Sequence, residues 1–293
     1  MIEQDGGTDA AGPVAGARSR GRYDRDRHLA HPPSPADVHR ALDRDSDVAG
    51  VLITSPTPYG TCADVSEIAR LCHDRGLPLL VDEAWGAHLP FHERLPTWAM
   101  DAGADLCVDP TFLAACADML STTSPNVLLW AAIDGWRRQM VEHGHEVLDA
   151  ALQVADDVRE RIAKIDGLTA LRDELIGPEA SHELDELKVL VDVSGLGIGG
   201  YQAADWLRAH RAVDVGLSDH RRIEAQLSLA DDPGTSDVLL DALTGLARSA
   251  GELPAPRSVE LPSPEALDTE AVMLPRDAFF ASVEDVPLYA AVG

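Results

Sequence analysis

Leu79-Leu-Val-Asp-Glu-Ala-Trp-Gly-Ala-His88 is the stretch on which the fold turns. Leu77–Val81 is an uninterrupted apolar run, short enough for a buried strand, and it ends in Asp82-Glu83. The strand therefore delivers Asp82 at its carboxyl end, where open α/β sheets collect their ligands. Upstream, Val51–Thr54 is a second apolar run closed by Ser55-Pro56. Between them Asp64–Arg75 is helical, because Val65, Ile68, Ala69 and Cys72 fall on one face and Gly76 stands where a helix stops. Downstream, Pro96–Ala102 reads as a short helix ended by Gly103, and Asp105–Val108 as a further strand. Repeated strand–helix units predict a parallel-rich sheet with helices on both faces.

Farther out, Ser34 caps and Pro35 opens a helix with Val38, Ala41 and Leu42 on its apolar side. Asp109-Pro110 opens a helical stretch to Leu120. Ser124 and Pro125 start a long helix that runs to about Lys164 with a break at Gly144. From Leu168 the pattern becomes a small α+β unit. Its strands are Lys188–Val193, Val213–Leu217 and Arg222–Leu229, and its helices Gln202–His210 and Ser236–Ala250. The expected division is a disordered leader over 1–21, a partial major domain over 22–165 and a small α+β domain over 166–250. A Pro-rich acidic linker over 251–275 and the start of a further domain over 276–293 complete it.

The 293 residues carry 50 acidic and 24 basic side chains, a formal charge of −26. Such a surface repels a polyphosphate backbone, which argues against a nucleic-acid partner. No apolar run has the length of a membrane span and no signal peptide is evident, so the expected compartment is the cytoplasm. Cys62, Cys72, Cys107 and Cys116 form no C-x-x-C pair and complete no zinc spacing with histidine, so no metal is expected.

Three local patterns compete for chemistry. A buried Asp82 needs a cationic partner, and a pyridinium nitrogen is one: the carboxylate keeps the ring protonated, and the ring then accepts electrons from a breaking bond. Ala84 is small enough for a flat ring to lie against the backbone. The plainer alternative is an acid capping the next helix. A magnesium-dependent nucleotide hydrolase would need a Gly-Lys-Ser/Thr loop, and neither Lys164 nor Lys188 follows a glycine. Gly195-Leu-Gly-Ile-Gly-Gly200 matches a nicotinamide-dinucleotide turn, with Asp219 about twenty residues on, yet no second strand–helix–strand half follows. It reads equally as a glycine-rich turn. His88 and His92 flank Leu-Pro-Phe as loop histidines. Thr122-Thr-Ser124 sits at a helix start, a natural anion site or a simple cap. Ser218-Asp-His-Arg-Arg222 reads as a charged turn.

Taken in order, Pro32-Pro-Ser-Pro35, Thr54-Ser-Pro-Thr-Pro-Tyr-Gly60, Val81–His88, Leu95-Pro96, Ala102-Gly-Ala-Asp105, Thr122-Thr-Ser-Pro125 and Asp134-Gly-Trp-Arg-Arg-Gln139 resemble the major domain of the bacterial ornithine/lysine/arginine decarboxylases. Gly195–Tyr201 and Leu217–Arg222 resemble that family's small domain, and Leu274–Phe280 the start of its C-terminal domain. The resemblance implies the aspartate-aminotransferase type of fold (fold type I), pyridoxal 5'-phosphate as cofactor, a basic amino acid as substrate, and a homo-oligomer. Carried over by position, Asp82 pairs the pyridine nitrogen, Ala84 packs on the ring, Trp85 stands where many members have histidine, and Thr57 lies near the cofactor. Thr123 and Ser124 lie near a cofactor phosphate, and His88 is the substrate-side candidate.

Three departures accompany the resemblance. The family's Ser-x-His-Lys motif is absent, because Val108 runs straight into Asp109-Pro110, and Lys164 and Lys188 fall in other elements. The family's N-terminal phosphate turn and ring-stacking histidine have no counterpart, and the chain ends within the C-terminal domain. The lysine both tethers the cofactor and exchanges it with substrate, so its loss predicts a chain inactive as a decarboxylase. The alternative roles are a non-catalytic pseudoenzyme or a partner that assembles with a complete paralogue.

Overall fold

A computed structural model describes residues 23–44, 48–105, 124, 126–259 and 279–287. Residues 279–287 fall in a separate unit, in which Phe279 and Phe280 meet edge to face at 5.1 Å.

The strands are β1 (Tyr23–Asp24), β2 (Leu29–Ala30), β3 (Val51–Thr54), β4 (Thr61–Cys62) and β5 (Leu79–Asp82), followed by β6 (Thr169–Leu171), β7 (Glu183–Leu184), β8 (Lys188–Asp192), β9 (Leu217–Ser218) and β10 (Arg222–Gln226). The helices are α1 (Pro35–Arg44), α2 (Val65–His73), α3 (Val127–Ile162), α4 (Gly200–Arg211) and α5 (Pro233–Ser249). β3 and β5 pair in parallel with Thr54 opposite Asp82, so both chains leave the sheet at the same end. Asp105 N–H continues the ladder beyond β5 by donating to Leu79 O at 2.7 Å, and residues 106–108 of the expected next strand lie outside the described residues. So does the expected helix over 109–120.

α1 and α2 cover one side of the β3–β5 pair. Val38, Leu42, Ile53, Val65, Ile68, Cys72 and Leu79 close a core there. The pair is not buried throughout, since Leu52 is 72% exposed. Ser34 opens α1 through a reciprocal cap: its Oγ accepts from Asp37 N–H, and Asp37 Oδ2 accepts from Ser34 N–H at 2.9 Å. Asp64 Oδ1 caps α2 by accepting from Glu67 N–H, and Gly76 takes φ +69 beyond the helix end.

The second layer is an antiparallel sheet in the order β6-β8-β10-β9. Val189, Val191 and Ile223 point to a core shared with Val158 and Ile162 of α3, Leu207 of α4, and Leu243 and Leu246 of α5. The alternation of β8 and β10 puts these residues on one face. β4 pairs with β7, and Asp185 N–H donates to Gly60 O at 2.8 Å, which ties the loop after β3 to the antiparallel half.

Five local expectations are corrected. Residues 96–102 form turns rather than a helix: Ala99 N–H is held by Glu83 Oε1 at 3.0 Å, and only Ala102 N–H closes back on Trp98 O before Gly103 at φ +93. The long helix starts at Val127 with Asn126 as cap, because Asn126 Oδ1 accepts from Leu128 and Leu129 N–H; Ser124 is not the cap. Gly144 does not break it. An added Cβ there would meet Phe91 Cβ at 3.0 Å, so the glycine admits the 89–91 turn against an unbroken helix. The expected strand over 213–217 is reduced to Leu217–Ser218, and the strand from Arg222 stops at Gln226.

Candidate active site at the carboxyl ends of the parallel strands

Asp82 ends β5 and faces solvent, contrary to the buried carboxylate expected from the sequence. Its Oδ1 accepts from Ala84 N–H at 3.2 Å, which is a local Asx turn and not a helix cap. No cation pairs with its side chain among the described residues, so one face of the carboxylate is open to a pyridinium. Ala84 is exposed beside it. Thr57 occupies the corresponding turn after β3. Its Oγ1 shares a hydrogen bond with Thr61 Oγ1 at 2.6 Å, and its carbonyl accepts from Gly60 N–H. Thr123 lies outside the described residues, and Ser124 is exposed just before α3.

Trp85 and His88 both turn toward the antiparallel half. His88 Nε2 lies 3.1 Å from Oδ2 of the fully buried Asp185, whose Oδ1 accepts from Leu187 N–H. Lys188 places Nζ 4.4 Å over the centre of the half-exposed Trp85 ring. On its other side Nζ is 3.7 Å from Glu224 Oε1, and both side chains are 2% exposed. Burial raises the Glu224 carboxyl above the ordinary range, the nearby Lys188 charge opposes that rise, and Asp185 adds to it. Glu224 Oε1 has no hydrogen-bond partner. A buried pair this loosely matched retains unmet hydrogen-bonding capacity.

Sequence reasoning missed Asp185, Lys188 and Glu224, because each is an ordinary strand or turn residue until the strands are paired. Gly60 was the available signal. It takes φ +84, and an added Cβ would meet Lys188 Cβ and Cδ at 3.0 Å, so its bareness marks the passage of the lysine stem.

Two other candidates resolve into structure. In Gly195–Gly200, a Cβ on Gly195 would meet Gly167 O at 2.7 Å, and one on Gly200 would meet Arg222 O at 2.0 Å. The glycines are accounted for by backbone approach, and the strand that next pairs with β8, β10, is antiparallel to it. Asp219 is engaged by Arg222 Nη1 at 2.7 Å and by Tyr59 OH at 3.2 Å. His92, Glu93 and His145 bring one ligand atom each within 4.8 Å. However, His92 Nδ1 accepts from Arg94 N–H at 3.1 Å, which puts the proton of a neutral ring on Nε2 and leaves no lone pair there for a metal.

Asp82, Ala84 and Thr57 lie at or just beyond the carboxyl ends of β5 and β3, and the open Asp82 carboxylate is chemically compatible with a pyridinium. The usual attachment point does not fit, for no Ser-x-His-Lys segment exists in the sequence.

Comparison with known proteins accords with this geometry. The profile of the Orn/Lys/Arg decarboxylase major domain matches residues 34–118. An arginine decarboxylase of Halalkalibacterium halodurans is 36% identical over 282 residues, covering 87% of this chain and 57% of that protein. One of Bacillus subtilis is 31% identical over 296 residues, covering 92% and 60%. The chain thus spans about three fifths of the length of these curated relatives. Among solved structures, the Francisella novicida lysine decarboxylase superposes with TM-score 0.60 at 16% identity, over 74% of this chain and 39% of that one. Pyridoxamine-pyruvate aminotransferase from Mesorhizobium loti gives 0.56 at 17% identity, over 74% and 64%. The fold is that of the fold-type-I enzymes, and the chain is a relative of the Orn/Lys/Arg decarboxylases.

Proposed function

We propose that this chain derives from a pyridoxal-phosphate-dependent decarboxylase of basic amino acids and does not turn over as it stands. The observation that carries the reading is the pairing of a retained Asp82 with a missing Ser-x-His-Lys segment. When bound, pyridoxal phosphate supplies an electron sink for bond cleavage at an amino acid's Cα. Asp82 holds a proton at the ring nitrogen, Ala84 leaves room for the ring, and Thr57 borders it from the turn after β3. His88 is fixed by Asp185 and orients the loop after β5. Nothing in this set moves a proton at the substrate's Cα or exchanges the cofactor onto the substrate. Losing that group costs orders of magnitude in rate. The proposed compartment is the cytoplasm. Buried Cys62 and Cys72 are free thiols, and no helix among the described residues is long and apolar enough to cross a membrane.

The test is carbon dioxide release from arginine, lysine and ornithine by the purified chain with added cofactor. No release above the cofactor-only rate is expected. Release at an enzymatic rate from any of the three refutes the reading.

A second reading, a non-catalytic partner of a complete paralogue or a homo-oligomer, is favoured by the start of α3. Leu128, Leu129, Trp130, Ile133 and Trp136 are all exposed there, a clustering that soluble monomers rarely leave bare. Size-exclusion chromatography with light scattering, alone and with the paralogue, separates monomer from assembly.

A further inference from the structure

β1 and β2 form a hairpin that is tied within itself. The two strands pair across it, and inside its turn Asp24 Oδ1 accepts from Asp26 N–H at 2.9 Å and from Arg27 N–H at 2.8 Å. Leu29, 1% exposed, anchors one strand in a core with Leu171, Leu175 and Leu190. The hairpin's turn meets the β9–β10 turn through polar groups instead. Arg221 Nη1 donates to Asp26 O at 2.8 Å, Arg222 Nη1 reaches His28 O at 3.4 Å, and His28 Nδ1 shares a hydrogen bond with His220 Nε2 at 3.1 Å. His28 holds this place at φ +52, a left-handed conformation that few non-glycine residues take. Such a backbone persists only where its contacts hold it.

A bond between two imidazoles depends on proton count. One nitrogen must present its N–H and the other its lone pair, which two neutral rings can do, as can one neutral and one charged ring. Two charged rings cannot, because both nitrogens then carry hydrogen. The surroundings do little for a second cation. On the β9–β10 side, Asp219 is held by Arg222 at 2.7 Å, and Asp192 of β8 is paired with Arg221 at 3.2 Å. On the hairpin, Asp24 is paired with Arg27 at 2.8 Å, Asp26 is exposed, and the Tyr23 ring lies 6.4 Å from that of His28. Glu174, after β6, bears on Arg27. Asp24, Asp192 and Asp219 are thus each matched by an arginine already. Both imidazoles are half-buried, so protons reach them from water.

We propose that the His28–His220 pair is an acid-released clasp: with both rings charged, the 23–30 hairpin lifts from the β9–β10 turn while the antiparallel sheet stays folded. The released hairpin binds more protons than the docked one. Docking is therefore complete above about pH 6.5 and is lost as pH falls below it. Release takes His28 O from Arg222 and opens the buried Tyr23 hydroxyl to water. Asp219, beneath the clasp, also accepts from Tyr59 OH at 3.2 Å, so the hairpin covers a corner tied to the turn after β3. The inference does not depend on whether the chain turns over.

The test is amide hydrogen exchange of the full chain, read by mass spectrometry as protection relative to the intrinsic rate at each pH. Peptides over 23–30 report the hairpin, and peptides within α5 report the rest of the fold. Between pH 7.5 and 5.5 the hairpin's protection is expected to fall about tenfold, since one proton excluded by docking shifts the equilibrium by up to tenfold for each unit below 6.5. α5 keeps its protection over that range. His28→Asn combined with His220→Gln sets side-chain amides where Nδ1 and Nε2 stand and suits the left-handed backbone, so the pair no longer titrates and the hairpin stays protected at pH 5.5. If that double variant loses α5 protection at pH 7.5, His220→Gln alone carries the same comparison. Hairpin protection that is constant across the range in the unaltered chain overturns the proposal without reference to any variant. So does a parallel fall in α5, which is global acid unfolding, and so does an acid-side fall that persists in the variant.

Discussion

Replacing Asp219 by Asn tests whether the acid that mimics a dinucleotide fingerprint is structural. Its carboxylate accepts from Arg222 Nη1 at 2.7 Å, Arg222 N at 2.7 Å, Arg221 N at 2.6 Å and Tyr59 OH at 3.2 Å. Arg222 is fully buried, and among the described residues its one other side-chain bond is a 3.4 Å contact to His28 O. Its Nε and Nη2 have no partner. Asparagine keeps one acceptor oxygen and turns a donor toward donors. Removing one member of a buried pair costs about 3–5 kcal/mol, because the other charge is left uncompensated. The lost hydrogen bonds are part of that figure and are not added to it. At roughly 2–4 °C per kcal/mol for a domain of this size, Tm falls by about 12 °C. The assay is urea denaturation of the full chain followed by tryptophan fluorescence, with a thermal scan beside it. Asp219→Asn combined with Arg222→Met recovers most of the loss, since no orphan charge remains. A loss under about 1 kcal/mol for the single change would refute the reasoning, as it means the guanidinium is solvated or neutralised by another route.

Two further outcomes follow from the same corner of the molecule. Gly200→Ala drives a Cβ into Arg222 O and Asp219 O, at 2.0 and 2.5 Å, so it lowers stability by more than about 3 kcal/mol in the same denaturation assay while nicotinamide-dinucleotide titration stays silent in the unaltered chain. Burial, with His28 and Arg222 nearby, depresses the His220 imidazolium below its ordinary 6.5, while Asp219 opposes the shift. Below pH 6.5 the unfolded chain therefore binds more protons than the folded one. The stability this residue contributes is full above 6.5 and is lost as pH falls toward the folded value. His220→Gln should flatten that acid limb in urea midpoints taken across pH 5–8, and an unchanged slope counts against it.

The parallel frame was legible because its signals are local. Apolar runs, a capping Asp64 and a stop at Gly76 act within a few residues, and β3, α2 and β5 came out within two residues of the reading. Errors arose where a distant contact outweighed a local propensity. Gly144 looked like a break in the long helix, but it lies under Phe91 and its role is close approach. Residues 96–102 looked helical, but Glu83 takes Ala99 N–H and redirects the turn. Asp82 looked buried because its strand is apolar, yet it stands one residue past the apolar run and meets water. The sequence pattern locates the end of a strand and does not say what covers it.

The site divides along the same line. Asp82, Ala84 and Trp85 fall within four consecutive residues, so one motif announces them together. Lys188 and Glu224 are separated by thirty-odd residues and become neighbours through the antiparallel register in which Leu190 faces Glu224 and Gln226 faces Lys188. Both then point from one face of that sheet toward the loop after β5, because side chains two positions apart share a face. Position along the chain was the ground for setting Lys188 aside, and it is a weak ground. An amine acts from where its nitrogen lies. Here the nitrogen lies over Trp85, three residues beyond the acid that ends the parallel strand.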